Sequence, residues 1–239
     1  YYARIDPGLN KDEFKAATAQ VLERNLALVE SGEDIGLNYY VSRGSMKITD
    51  GLTPAGTVAL FCRRLAFENF ARAYVRGAPG IIPTTRRTPP ACVSPKAKIA
   101  NKMNHTVAEL EAKAQDPDAF AIMLDLDGNV TETSGANFLI VENGQIVSPT
   151  LRNILPGISR QTIIDLAAEL QIPFAVRDFQ VYNVINADEA FVCSTPYCMM
   201  PVTQINGVPI GDGQPGTVFQ SILQGWSEHV GLNIPAHIE

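Results

Sequence analysis

The sequence predicts a mixed α/β fold of the α+β type, and three observations carry that prediction. Apolar residues recur at helical spacing over residues 11–30, 65–77, 101–114, 157–171 and 216–231. Between them lie short runs rich in β-branched and aromatic residues, which mark strands. Helices and strands follow one another without strict strand–helix–strand alternation, which argues against a purely parallel sheet.

The elements follow in order. In "KDEFKAATAQVLERNLALVE" Phe14, Ala17, Val21 and Leu28 share one stripe, and Ser31-Gly32 ends the helix. "GLNYYVSRG" (36–44) and "GTVALFC" (56–62) read as strands, and "LAFENFARAYVRG" (65–77) as a helix stopped by Gly77. Composition then shifts, with five prolines in positions 78–96. That shift places a domain connection near residues 76–80, giving a small domain over 1–77 and a large one over 78–239. A helix over 101–114 follows one strand and a loop. Strands are expected at 119–125, 128–132, 136–142 and 145–148, the last two joined at Glu142-Asn143-Gly144. Pro156-Gly157, with Ser159 behind it, starts the helix over 157–171. "IPFAVRDF" and "EAFVCST" are strands, Asn206-Gly207 turns a second hairpin, and the last helix carries the lone Trp226 on its core face.

Composition narrows the function. The chain has 239 residues, 46% of them hydrophobic and 18% charged, enough for a substantial core and too apolar for disorder. A net charge of −6, with no basic run beyond Arg86-Arg87, argues against nucleic-acid or anionic-membrane partners. No apolar run approaches the roughly 20 residues that a membrane span needs. The four cysteines form no CxxC pair, and with three histidines the chain offers no metal-ligand spacing. Buried or half-buried free thiols in a reducing, cytoplasmic compartment are expected instead.

Four local features carry chemistry. Lys98, in "PKAKIAN", stands where a helix is about to start; it reads as an exposed loop lysine or as a Schiff-base amine, with Lys96 and Lys102 as rivals. Glu132, in "VTETSG", reads as a solvated or capping carboxylate, or as one facing a cationic ring nitrogen and keeping it protonated. In "LPGISR" (155–160), Gly157 permits close backbone approach and the following helix offers free amides, the makings of an anion site. In "CSTPYCMMPV" (193–202), a strand ends in Ser194 and Thr195, placing hydroxyls and amides at its tip.

Taken in chain order, a lysine, a glutamate, a helix-start anion cup and a Ser-Thr strand end resemble the class IV aminotransferases, the fold-type IV pyridoxal-phosphate enzymes. Branched-chain and D-amino acid aminotransferases, (R)-selective amine transaminases and aminodeoxychorismate lyase belong to that family. The matching segments are "KIAN", "DLDGNVTETSGANFLIVENGQIVSP", "ILPGISRQTIIDLA" and "ADEAFVCSTPYCMMPVTQINGVPIGDGQPG". "YYVSRG" and the Thr85–Pro90 stretch fit the family's small domain more loosely.

The resemblance implies a two-domain fold with pyridoxal 5'-phosphate as cofactor. Its N-terminal small domain is expected to be incomplete, because the family's phosphate-binding arginine has no match here. It implies that Lys98 forms the Schiff base, since the family places an asparagine shortly after its lysine, here Asn101. Glu132 would face the pyridine nitrogen. The phosphate would sit on the amides of Ile158 and Ser159, with the Ser159 hydroxyl, Ser194 and Thr195 nearby, while Leu155 and Gly157 shape the cup. Arg43 would approach a substrate carboxylate or serve the dimer. The implied reaction moves an amino group between a branched-chain or D-amino acid, or an amine, and a 2-oxo acid, in a homodimer. A lyase of the aminodeoxychorismate type and a degenerate, cofactor-free relative remain as alternatives. Lys102 stands where the branched-chain enzymes carry a tyrosine.

Overall fold

The computed structural model describes residues 5–30, 33–44 and 56–238. The expected Ser31-Gly32 helix stop lies outside them. The chain divides into two compact units, Tyr1–Ala66 and Phe67–Glu239.

In the first unit, helix α1 (Lys11–Leu26) begins with a capping box. The Asn10 side chain accepts from the Asp12 and Glu13 amides at 2.9 and 3.0 Å, and the Asn10 amide donates to Glu13 at 2.8 Å. The helix ends before Leu28, which is exposed rather than part of the stripe. Strands β1 (Asp34–Ser42) and β2 (Thr57–Leu65) pair antiparallel, from Asp34 opposite Leu65 to Ser42 opposite Thr57. Phe14 meets Tyr39 edge-on at 5.4 Å, and Tyr40 stacks with Phe61 at 5.8 Å.

The second unit begins before the expected boundary at 77/78. Helix α2 (Ala71–Arg76) belongs to it, because the Tyr74 ring is buried in its core and the hydroxyl donates to the Tyr197 carbonyl. The Thr85–Pro90 stretch, expected in the small domain, also lies in this second unit.

The second unit is built on an eight-stranded sheet. Its strands are β3 (Ala78–Ile81), β4 (Phe120–Ala121), β5 (Asn137–Glu142), β6 (Gln145–Ser148), β7 (Phe174–Val176), β8 (Glu189–Ser194), β9 (Cys198–Ile205) and β10 (Val208–Pro209). They lie in the order β4-β3-β9-β8-β5-β6-β7, with β10 hairpinned onto β9. β3 runs parallel to both β4 and β9, and β6 runs parallel to β7; the central β9-β8-β5-β6 pairings are antiparallel. Both expected Asn-Gly turns form with positive φ at each residue: 51° and 74° at Asn143-Gly144, 49° and 79° at Asn206-Gly207.

The helices of this unit are α3 (Met103–Lys113), α4 (Ile158–Glu169), α5 (Val181–Ile185), α6 (Thr217–Val230) and α7 (Ile234–Ile238), besides α2. α4 contributes Ile163, Leu166 and Ala167 to the core, and α6 contributes Phe219, Ile222, Leu223 and Trp226. The start of α6 is fixed by buried Glu189, which accepts from the Val218 and Phe219 amides at 2.8 Å each. α5 and α7 are not expected from periodicity, because five residues are too few to show it.

Residues 128–132 do not form the expected strand, and the expected strand at 119–125 shrinks to β4. The Asp125 side chain accepts from the Asp127 and Asn129 amides at 2.9 and 2.8 Å and pulls the chain into a tight turn. Isolated bridges Leu124–Val130 and Glu132–Asn137 replace a continuous ladder. Among the cysteines, Cys193 is buried, Cys62 and Cys198 are half-buried, and Cys92 is exposed, contrary to the expectation of sheltered thiols.

Candidate active site

A cavity of about 380 Å³ opens in the second unit, where the proline-rich loop, the start of α3, the Glu132 turn, the start of α4 and the tip of β8 converge. Lys98, Glu132, Leu155, Gly157, Ile158, Ser159, Ser194 and Thr195 all line it. Arg43 follows β1 in the first unit, and the described residues that line the cavity belong to the second.

Glu132 is placed by its local sequence. Thr133 Oγ1 accepts from the Gly135 and Ala136 amides at 3.2 and 2.8 Å, and the Thr133 amide donates to the Ala136 carbonyl at 2.9 Å. The small polar residues after the acid therefore form the turn that brings Glu132 across from Asn137. Glu132 is 5% exposed. Leu155 donates its amide to Oε2 at 2.8 Å, Asn137 donates to the same oxygen at 3.4 Å, and Arg87 lies 3.2 Å from Oε1. Burial pushes its pKa up, against the Leu155 amide first and then the Arg87 charge, which favour the ionised form.

Arg87 and Asn137 are the functional residues that sequence reasoning missed. Arg87 is itself buried and supplies the countercharge. Asn137 also donates to the Leu155 carbonyl at 2.9 Å, tying β5 to the loop before α4. A β-carbon on Gly157 would stand 2.1 Å from Asn137 Oδ1, so close approach requires glycine here. The doublet of arginines before two prolines was the available signal for Arg87.

The start of α4 is the second feature. Gly157 is its N-cap, with no side-chain cap, so the first-turn amides depend on other acceptors. Ser159 is buried in that first turn while Ile158 is 85% exposed. Arg160 holds the helix from behind: its Nε donates to Ser148 Oγ at 2.7 Å and its guanidinium lies 5.9 Å from the Phe174 ring centre. Opposite, Ser194 donates its hydroxyl to the Gly135 carbonyl at 2.9 Å, bracing the tip of β8 against the Glu132 turn.

Lys96, Lys98 and Lys102 all line the cavity, so the geometry brings the two rival amines in beside Lys98. The lysine at the helix start is Lys102, the N-cap of α3, and not Lys98, which sits in the loop before it. His105, one turn into α3, is 8% exposed, and its Nδ1 has no hydrogen-bond partner. Burial first, then the nearby charges of Lys102 and Arg87, lower its pKa to about 4, so the imidazole is neutral at pH 7. Among the described residues no group of His, Cys, Asp and Glu could hold a metal ion, and no helix is long and apolar enough to cross a membrane.

The arrangement joins a buried carboxylate, primary amines and a helix start suited to an anion, the parts needed to hold a charged ring compound and move a proton beside it. Residues 2–205 match the family model for amino-transferase class IV. Branched-chain-amino-acid aminotransferase-like protein 1 of Arabidopsis thaliana is 30% identical over 205 residues, 83% of this chain, though the chain spans only 36% of that protein's length. A D-alanine aminotransferase of Listeria monocytogenes is 35% identical over 119 residues, covering 49% of this chain and 41% of that protein. The fold is shared with the branched-chain amino acid aminotransferase of Escherichia coli, at a TM-score of 0.82 and 26% identity over 96% of this chain and 74% of that one. The chain belongs to the class IV amino-transferases.

Proposed function

We propose that this chain is a pyridoxal-phosphate aminotransferase that moves an amino group between an amino acid or amine and a 2-oxo acid. The observation that carries the reading is one cavity that joins Lys98, the Arg87-paired Glu132 and the uncapped start of α4.

The residues present fit the cofactor. The first turn of α4, with the Ser159 hydroxyl, suits a phosphate dianion, and the Gly157 backbone lies tightly enough against Asn137 that no side chain could occupy the space. Glu132, supported by Arg87 and the Leu155 amide, would hold negative charge opposite a ring nitrogen and keep that nitrogen protonated. Thr195 would help hold the phosphate from the tip of β8. When bound, the cofactor supplies an electron sink for the substrate's Cα. Lys98 Nζ would take up the proton leaving that carbon, as general base, and later return it as general acid.

The reading includes a homodimer, supported by the exposed Met103, Val107 and Leu110 along one side of α3, and a cytoplasmic setting. Its test is spectroscopic. The protein is saturated with pyridoxal phosphate and offered L-leucine, L-glutamate, D-alanine or either enantiomer of 1-phenylethylamine. Conversion of the cofactor's absorbance to that of pyridoxamine phosphate by a donor alone is the expected result. Release of pyruvate from an aminodeoxychorismate-type substrate with no 2-oxo acid present, and with the cofactor's absorbance unconverted, would favour the lyase. No absorbance from bound cofactor would favour a cofactor-free relative.

A further inference from the structure

We infer that Asn104 is a positioning residue. By holding the peptide groups on both sides of Arg87 it aims that guanidinium at Glu132, and through the pair it fixes the negative charge that Glu132 sets against the cofactor's ring nitrogen. The last step rests on the aminotransferase reading above.

Residues 86–89 lie outside regular secondary structure, so no strand ladder decides where the Arg87 side chain points. Three hydrogen bonds decide it instead. Asn104 makes two of them: its Oδ1 accepts from the Thr88 amide at 3.0 Å, and its Nδ2 donates to the Arg86 carbonyl at 2.9 Å. The Arg87 amide makes the third, donating to the Leu124 carbonyl at 2.8 Å. In an extended chain the carbonyl before a residue and the amide after it point to one edge, and the residue's own amide points to the other. Residues 86–88 are thus held at both edges, as a central strand is, and the Arg87 side chain must leave the plane of those bonds. It leaves towards Glu132 and comes within 3.2 Å of Oε1.

The contact needs an amide side chain. It must accept at one end and donate at the other, which neither a carboxylate nor an apolar side chain can do. Asn104 is also well anchored itself, in the first turn of α3. Seven positions on, along the same face of the helix, Glu111 accepts from the Thr84 and Thr85 amides at 2.7 and 3.2 Å. α3 therefore carries the stretch 84–88, and Asn104 meets the peptide groups that flank Arg87. Without that hold the guanidinium is free to turn away from a carboxylate that is itself buried, and a buried carboxylate without its countercharge tends to take up a proton.

The test uses the full chain. Urea unfolding at pH 7.5, read from Trp226, compares Asn104→Ala in the wild type and in the Arg87→Leu/Glu132→Gln background. If Asn104 only ties the loop down, its loss raises the unfolding constant by the same factor in both. Positioning predicts a factor about tenfold larger in the wild type, where the charge pair is disturbed as well. Asn104→Ser, which can make one of the two bonds, is expected to show a smaller excess in the same cycle and serves if Asn104→Ala does not fold. A second measurement titrates pyridoxal phosphate, and its analogue with C–H in place of the ring nitrogen, by absorbance. Asn104→Ala should cut the preference for pyridoxal phosphate over the analogue by about threefold or more, whereas a loosened loop weakens both ligands alike. Equal factors in the two backgrounds, or a preference that is absent in the wild type or unchanged in the variant, overturn the inference. If neither ligand binds while the excess in the wild type is present, Asn104 positions Arg87 and the aminotransferase reading falls.

Discussion

Replacing Arg87 with leucine probes the electrostatics under the cavity. The wild-type pair is sheltered, with Arg87 8% and Glu132 5% exposed. In Arg87→Leu, Glu132 keeps the Leu155 amide at 2.8 Å and a long bond from Asn137 at 3.4 Å, but loses its countercharge. Stranding a buried carboxylate in this way costs about 3–5 kcal/mol at neutral pH. The pH dependence follows from linkage. Burial already raises the Glu132 pKa above 4.5, and loss of Arg87 raises it further. A carboxyl with a raised folded-state pKa stabilises the fold below its unfolded value and loses that contribution as pH rises through the folded one. The penalty should therefore shrink as pH falls toward 4.5, by about 1.4 kcal/mol per unit within the titrating window. Trp226, the one tryptophan, is buried in α6 of the same unit and reports unfolding in urea. Wild type, Arg87→Leu, Glu132→Gln and the double variant would be compared at pH 5 and pH 7.5. The double variant should recover about half the loss or more, because glutamine can accept the Leu155 bond without a charge. A penalty of under about 1 kcal/mol, or one equal at both pH values, would refute the reasoning.

Other expectations follow from the same geometry. Gly157→Ala would drive a methyl into Asn137 Oδ1; a loss of about 1–3 kcal/mol together with weaker pyridoxal-phosphate binding is expected, and wild-type behaviour in both assays would show that the approach is not tight. His105 has a folded pKa near 4 against 6.5 unfolded, so the unfolded chain binds the proton first and stability falls as pH drops from 6.5 to 4, by at most about 3.4 kcal/mol. His105→Leu should flatten that slope, and an unchanged slope would assign it elsewhere. Glu189→Ala removes both amide contacts at the start of α6 and should cost about 1–2 kcal/mol, read by Trp226 fluorescence; no loss would mean that water replaces the cap.

The elements that sequence pattern describes well are those whose local chemistry is self-contained. β6 falls on residues 145–148 as expected, because the Asn143-Gly144 turn sets its start and Pro149 follows its end. That Lys98, Glu132, Ser159 and Thr195 line one cavity agrees with their expected grouping, and most of them stand beside a turn, a helix start or a strand end with a distinctive sequence. Arg87 was not legible: its role depends on a partner 45 positions away, which no local pattern shows. The missing strand at 128–132 has the same origin, since Asp125 bonds to the amides of the turn and diverts a β-rich segment into isolated bridges. In α3 the large apolar residues are not the buried ones. Met103 and Leu110 are exposed, while Ala108 and Ala112 fill the buried side, because small residues let that helix lie close to its neighbours.

Of the three lysines in one cavity, Lys98 is the one proposed to bond the cofactor. Borohydride reduction of the pyridoxal-phosphate-loaded protein, followed by tryptic digestion and mass spectrometry, locates that bond. The phosphopyridoxyl group is expected on Lys98, with the modification lost in Lys98→Ala. Modification of Lys96 or Lys102 in the wild type, with Lys98 unmodified, would contradict it.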